Sequence, residues 1–350
     1  MFRGTTFVKR ASPCHRSHSP RMFSKISIPA RSQRAPHLGA CFMLVTVLAA
    51  AGCAASGDDV DSIGAELIGG RVAEDGQFPA TVALLTPLAS FDTRYCIGED
   101  RRCTMTRVGP RAYLAAGHCF ADRNQLDNQR RVVLSPMFEP GQRVELSLGV
   151  QIWEYVEGTC PAQTFGNQIA VPAPGSQRVA ATVRQVHFHP SFLARGAEAG
   201  EPGSEWSRFG HADLAILEVE EDIPGFAAQA RVSFVPLHPG EGVVIAGHGV
   251  SGGFVGGSWS GLKYAARTVD ALVGQDFFTK VDDPFGGPGI APGDSGGGVF
   301  LAADPRMLTV VGVNSKSIAY RGSAHVRLDD GGPEAVRAWY EQVTAQIAQH

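Results

Sequence analysis

The chain has 350 residues, 44% of them hydrophobic and 19% charged, with a formal net charge of −3; that balance excludes a disordered chain, a collagen and a multi-span membrane protein. The charge is uneven: residues 1–52 carry eight basic and no acidic side chains, which leaves 23 basic against 34 acidic over 53–350. A body that acidic lacks the basic footprint of a nucleic-acid binder, so no nucleic-acid partner is expected.

At the N-terminal end, residues 38–52 (LGACFMLVTVLAAAG) form an apolar run of 15 residues, preceded by Arg21, Lys25, Arg31 and Arg34. A basic segment ahead of an apolar one too short to span a bilayer comfortably reads as an export signal. Ala50, Ala51 and Gly52 then lead into Cys53. That arrangement resembles a bacterial lipobox, in which the cysteine is lipidated and becomes the new N-terminus. Ala50 stands where the pattern has Leu, Val or Ile, and a plain signal-peptidase cut nearby is the alternative. Either way residues 1–52 are an extension and signal, and the mature protein is secreted or tethered to the outer envelope of a bacterium by a lipid on Cys53. Residues 53–66 are small and acidic, with Asp58, Asp59, Asp61 and Glu66, and read as a tether or pro-segment. Residues 67–350 remain for the folded domain.

Of the seven cysteines, Cys14 and Cys41 leave with the signal and Cys53 is the lipidation candidate, so Cys96, Cys103, Cys119 and Cys160 remain. Four cysteines in an exported chain suggest two disulfides. Zinc is the rival, since His118 adjoins Cys119, but there is no C-x-x-C pair and no second close histidine. The reading therefore includes no metal and no cofactor.

Most of the body consists of short β-like runs punctuated by Gly and Pro, at Val144–Val150, Val183–His189, Asp213–Val219, Val243–Gly247, Tyr264–Val273, Gly298–Leu301, Leu308–Asn314 and Ala324–Leu328. Such spacing predicts an all-β sandwich or barrel. One helix is expected, over Pro333–Ile347, opening on Gly-Pro-Glu and carrying Val336, Tyr340, Val343 and Ile347 on one face.

The sharpest chemical signal is Gly293-Asp294-Ser295-Gly296-Gly297. A serine on a glycine-flanked turn lets backbone amides converge near its hydroxyl, where they could hold a developing oxyanion. The hydroxyl is a weak nucleophile and needs a histidine base, itself oriented by a carboxylate. The pentapeptide also fits the G-x-S-x-G elbow of α/β-hydrolases, whose Asp and His follow the Ser; here only 55 residues follow Ser295 and the βαβ alternation is missing. Upstream, Ala115-Ala116-Gly117-His118-Cys119 follows a predicted strand at Ala112–Leu114, and His211-Ala212-Asp213 opens an apolar strand. The order is His118, Asp213, Ser295.

With that order the sequence resembles the trypsin/chymotrypsin-like serine proteases from Leu67 to the C-terminus. Leu67-Ile68-Gly69-Gly70 is similar to the family's mature I-V-G-G terminus, Ala115–Cys119 to T-A-A-H-C, Asp213–Leu217 to D-I-A-L-L and Gly293–Gly297 to G-D-S-G-G. Gly247-His248-Gly249 stands where the family has G-W-G, and Val183–Phe192 looks like its strand ending in H-P-x-F. The resemblance implies two six-stranded antiparallel β-barrels with a C-terminal α-helix and a triad of His118, Asp213 and Ser295 in the cleft. It implies an oxyanion hole from the amides of Gly293 and Ser295, and Ser315 as a cleft residue that bonds a substrate strand. Cys103 lies 16 residues before Cys119, the family spacing for the disulfide beside the catalytic histidine. A second bridge, Cys96–Cys160, is expected because the family's corresponding regions are neighbours.

The departures bear on specificity and activation. The S1 floor falls on Gly289, so a trypsin-like preference for Lys or Arg is not supported, and no cysteine follows Cys160 to flank that pocket. Lys316, Arg321 and His325 lie in segments expected to wall it, which points to an acidic P1 residue; a large hydrophobic P1 over Gly289 is equally admissible. In the family a freed α-amine, here that of Leu67, pairs with the Asp before the nucleophile, here Asp294. The residue before the cut is Glu66, so a Glu-preferring activating protease, or self-cleavage, is expected. The reading is an exported serine endopeptidase, a zymogen acting on protein or peptide substrates. A protease-fold binding protein without turnover and an esterase on the same fold are the alternatives.

Overall fold

The computed structural model describes residues 70–85, 103–126, 132–136, 138–150, 153–157, 168–172, 175–193, 211–249, 261–280, 289–291, 293–318 and 322–350. All of them belong to the unit Val60–His350. Cys53, Leu67, Cys96, Cys160 and Arg321 lie outside the described residues, and with them the signal, the tether, the Glu66–Leu67 junction and the expected Cys96–Cys160 bridge. Among the described residues no helix is long and apolar enough to cross a membrane.

In chain order the elements are β1 (Arg71–Val72), β2 (Thr81–Leu85), β3 (Cys103–Arg107), β4 (Ala112–Ala115), a 3₁₀ turn (Gly117–Cys119), β5 (Ala121–Leu126), β6 (Val132–Pro136), β7 (Arg143–Leu148), β8 (Trp153–Glu157), β9 (Gln168–Pro172), β10 (Gln177–Phe188), β11 (Ala215–Val219), β12 (Arg231–Val232), β13 (Gly242–Gly247), β14 (Lys263–Val273), β15 (Asp276–Lys280), β16 (Gly298–Leu301), β17 (Thr309–Ile318), β18 (Gly322–Arg327) and the helix α1 (Val336–Ala348). Strands β10-β11-β4-β3-β2-β7 close one six-stranded barrel. The path β14-β13-β16-β17-β18-β15 returns to β14 and closes a second, with β1 added at the edge of β14 and β12 running parallel to β17. The barrel strands pair antiparallel, so the expected two-barrel architecture is present. Closure leaves neither barrel a bare edge strand to manage. Hairpins β5–β6 and β8–β9 stand outside both barrels.

Apolar side chains of the two barrels and the helix form one buried cluster, and a second fills the far barrel around Val243, Ile245, Phe277 and Val299. Within the first cluster Phe78, just ahead of β2, reaches the second barrel, its ring 5.4 Å from that of Tyr264 and 5.5 Å from that of Phe300. The helix starts at Val336 rather than Pro333. The residues before it are held by side chains instead of by helical bonds: Arg327 pairs with Asp329, whose Oδ1 accepts Gly331 N–H, and Gln275 Oε1 accepts Glu334 N–H. Its buried stripe is Val336, Trp339, Val343 and Ile347. Trp339 takes the place expected of Tyr340 by meeting the His189 ring edge-on at 5.1 Å, while Tyr340 sits half-buried against Phe234. The Arg111 guanidinium of the first barrel donates to Ile347 O and closes the helix's last turn.

The disulfide Cys103–Cys119 fastens the start of β3 to the 3₁₀ turn that carries His118. Replacing both cysteines by alanine is expected to cost about 3 kcal/mol on the chain-entropy account of a loop that size. Urea denaturation of the variant beside the oxidised parent checks this.

Candidate active site

Strand register places His118. Ala115, the last residue of β4, lies opposite Ala215, the first of β11, with Leu114 opposite Ile216. In an antiparallel pair the residues just after Ala115 therefore lie beside those just before Ala215, which brings the turn at His118 to Asp213. The contact is double: His118 N–H donates to Asp213 Oδ1 at 2.9 Å and Nδ1 lies 2.8 Å from Oδ2. An ionised carboxylate only accepts, so Nδ1 carries the proton and Nε2 is left as the base. The imidazole is 23% exposed and the carboxylate is fully enclosed.

The second barrel completes the environment of Asp213. Ser315 Oγ–H donates to Asp213 Oδ2 at 2.6 Å. Burial alone raises the pKa of this carboxyl, but the His118 charge and hydrogen bond, the charge of Lys316 and the Ser315 hydroxyl bring it well below the ordinary carboxylate range. Asp213 is thus held in its ionised form where the two barrels meet.

The β16–β17 ladder then sets Ser295. Beyond the pair Gly298↔Val313 the ladder continues as Asn314 N–H to Gly297 O at 2.8 Å and Gly296 N–H to Asn314 O at 2.7 Å, so the Ser295 turn lies alongside Ser315. Thr104, on β3 of the first barrel, clamps the same turn from the other side. Its N–H donates to Ser295 O at 2.9 Å, and its hydroxyl donates to Gly293 O at 2.8 Å while accepting His248 N–H. Gly293 and Gly296 adopt φ of +98° and +83°, a region costly for other residues; a Cβ on Gly296 would also meet Thr104 O at 2.3 Å. Among the described residues neither Gly293 N–H nor Ser295 N–H donates a hydrogen bond. Two amides at a strained turn are thus uncommitted beside the serine.

Asp294 points away from the cleft, into the second barrel. Its Oδ1 accepts Gly249 N–H at 2.7 Å and its Oδ2 accepts Ala291 N–H at 2.8 Å. Burial pushes it up to about 7, against those two amides and the charge of Lys263. Gly289 is buried at the start of the segment leading to Ser295, and the next residue, Ile290, donates its N–H to Ser323 Oγ. His325 does not form a cationic wall. It is enclosed in the barrel between Asn314 Oδ1 and Thr279 Oγ1, stacks on Phe277 and is held neutral by burial, its pKa lowered to about 3.

His118, Asp213 and Ser315 are therefore joined by hydrogen bonds and the Gly293–Ser295 turn lies beside Ser315 and Thr104, whereas Asp294 and His325 are buried with other partners. Two contributors escaped the sequence reading: Thr104, and the Ser315 hydroxyl as a partner of Asp213. The motifs carry no signal for either, because both contacts cross between barrels. No protein-family model and no curated protein matches the chain, so the resemblance rests on short motifs and architecture.

His248, between the two glycines that border Asp294, is buried, and neither ring nitrogen has a hydrogen-bond partner among the described residues. Burial lowers its pKa from 6.5 to about 3. The unfolded chain takes up this proton first, so stability is lost as pH falls from about 6.5 towards 3. His189 and His325 act in the same direction. His248→Phe removes two unsatisfied polar atoms, is expected to gain about 1–3 kcal/mol at pH 7, and should flatten the acid slope. Denaturation midpoints of both proteins from pH 4 to pH 7.5 test this.

Proposed function

We propose that the chain is an exported serine endopeptidase acting through an acyl-enzyme. The observation that carries this reading is the Asp213 carboxylate joined to His118 from one barrel and to Ser315 from the other, beside a Gly-Asp-Ser-Gly turn with uncommitted amides. Ser295 Oγ attacks the peptide carbonyl while His118 Nε2 takes its proton. Asp213 holds the imidazole in the required tautomer and stabilises the imidazolium. The negative charge that forms on the carbonyl oxygen is met by Gly293 N–H and Ser295 N–H. His118 then protonates the leaving amine, and water, deprotonated by the same nitrogen, releases the acyl group from Ser295.

The export signal supports secretion or attachment to the bacterial outer envelope through a lipid on Cys53, with protein or peptide substrates and no nucleic acid, metal or cofactor. Residues 67–350 are the protease domain. Gly289 brings no charge to the pocket floor and His325 is neutral, which favours an uncharged P1 side chain.

A fluorophosphonate probe is expected to label Ser295 and to leave Ser295→Ala unlabelled. Asp213→Asn, which keeps the shape and reverses the tautomer preference, should lower peptide hydrolysis by about 10⁴-fold. Absence of labelling in folded protein would favour a protease-fold binding protein, and hydrolysis of esters but not peptides would favour an esterase. On a panel of fluorogenic peptides varied at P1, Leu and Phe substrates should outrun Lys, Arg, Asp and Glu; an acidic substrate turned over fastest would restore the basic-pocket reading.

A further inference from the structure

The side chain of Asp213 is held by His118 and Ser315, but a short side chain is aimed only as well as the backbone beneath it is placed. That backbone makes a three-residue turn: Leu214 N–H donates to Ala212 O at 2.8 Å, with Asp213 at the centre. Both flanks of the turn are fastened to one segment, which begins where β10 ends. His189 N–H donates to Leu214 O at 2.9 Å on one side of Asp213, and Ser191 Oγ accepts Ala212 N–H at 3.1 Å on the other.

Ser191 is itself oriented. Residues 190–193 form a short helical turn opened by Pro190, whose fixed φ suits that position. His189 Nδ1 accepts Ser191 N–H at 3.2 Å and lies 2.9 Å from Ser191 Oγ. A ring nitrogen that accepts carries no proton, so the Ser191 hydroxyl hydrogen is directed at Nδ1 and the oxygen's lone pairs are left for Ala212 N–H. Burial keeps His189 neutral, its pKa lowered to about 4, and its ring meets Trp339 of α1 edge-on. The following residue serves the other member of the pair. A Cβ on Gly117 would come within 2.8 Å of the Phe192 ring, so that ring lies against the backbone directly before His118, with Phe188 stacked on it at 5.7 Å. Residues 189–192 thus touch the chain beside both His118 and Asp213.

We propose that Ser191 is a positioning residue of the candidate active site: by holding Ala212 N–H it fixes the turn from which Asp213 reaches the His118 ring. Its effect on rate rests on the serine-protease reading, whereas its effect on the His118–Asp213 bond rests on the geometry of the turn. Ser191 meets neither substrate nor the reacting atoms and acts through Asp213. Ala212 is fully buried, so an Ala212 N–H that loses its acceptor is costly, and the turn relaxes to find another. A displaced carboxylate holds Nδ1–H less firmly, and the imidazole then populates the tautomer that cannot take the Ser295 proton.

The test uses the chain without its signal, from Ala54, as parent, Ser191→Ala and Ser191→Thr, the last keeping the hydroxyl. Two properties are measured: steady-state hydrolysis of a fluorogenic peptide with Leu or Phe at P1, and the nitrogen NMR shifts of the histidine rings, with His118 assigned from the spectrum of His118→Ala. Ser191→Ala should lower kcat by about 10- to 100-fold with KM within about twofold, and Ser191→Thr should return kcat to within about threefold of the parent. The His118 shifts should show Nδ1–H in the parent and Ser191→Thr, and a share of Nε2–H in Ser191→Ala. Parent-like kcat and His118 shifts in Ser191→Ala overturn the proposal. So does a slow Ser191→Ala whose His118 shifts are unchanged, since the serine would then act elsewhere than on the pair. A Ser191→Thr as impaired as Ser191→Ala overturns it, as does a Ser191→Ala that circular dichroism shows to be unfolded at the assay temperature, because the serine would then serve the fold rather than the site. A folded parent that hydrolyses no peptide removes the serine-protease reading, and the His118 shifts alone then decide whether Ser191 positions the pair.

Discussion

Asp213 places a full negative charge where water does not reach, and the surrounding chain is arranged to make that tolerable. Three donors meet its two oxygens: the backbone N–H and Nδ1–H of His118 from the first barrel and the hydroxyl of Ser315 from the second. Removing any one leaves a buried acceptor short of a partner, which costs more than the bond itself contributes. The carboxylate therefore constrains both barrels together. Ser315 follows Asn314, whose backbone bonds Gly296 and Gly297, so the carboxylate that orients the His118 ring is also tied to the strand beside the Ser295 turn.

Thr104 is the second tie and works by the same logic on the neutral side. It sits on a first-barrel strand, yet its N–H and hydroxyl meet carbonyls of the Ser295 turn, and its hydroxyl also accepts from His248. Thr104 thus holds the carbonyls of Gly293 and Ser295, whose amides donate to no partner among the described residues. The shape of the turn is thus a property of the contact between barrels. The strand that holds it is itself anchored by the Cys103–Cys119 disulfide to the turn of His118.

What could be read from the chain follows from where each constraint resides. Runs such as Val243–Gly247 and Gly298–Leu301 are apolar stretches bounded by turn residues, and they lie on β13 and β16 almost residue for residue. His118, Asp213 and Ser295 stand in short motifs whose local composition reflects their turns and strand ends. Ser315 was placed in the cleft, but its bond to Asp213 depends on how two barrels meet, and no periodicity encodes that. The helix face was misplaced by one residue for a related reason. Periodicity admits Trp339 and Tyr340 almost equally, and the choice falls to the His189 ring waiting on the other barrel. Its start was placed three residues early because Glu334 O accepts Val336 N–H, only two residues on, and the first helical bond is Trp339 N–H to Ala335 O.

The buried titratable groups around the cleft divide by what compensates them. Asp213 has donors and a facing imidazole and stays ionised well below the ordinary range. His248 and His325, enclosed without an anion, stay neutral down to about pH 3. Asp294 lies between these cases. Burial raises it to about 7 against two amides and the charge of Lys263. A group at that balance point can serve as a switch, because a modest change in local charge moves its ionisation substantially. A group as firmly compensated as Asp213 cannot. Asp213, tied to both barrels, and Asp294, one residue before Ser295, thus stand on opposite sides of that balance.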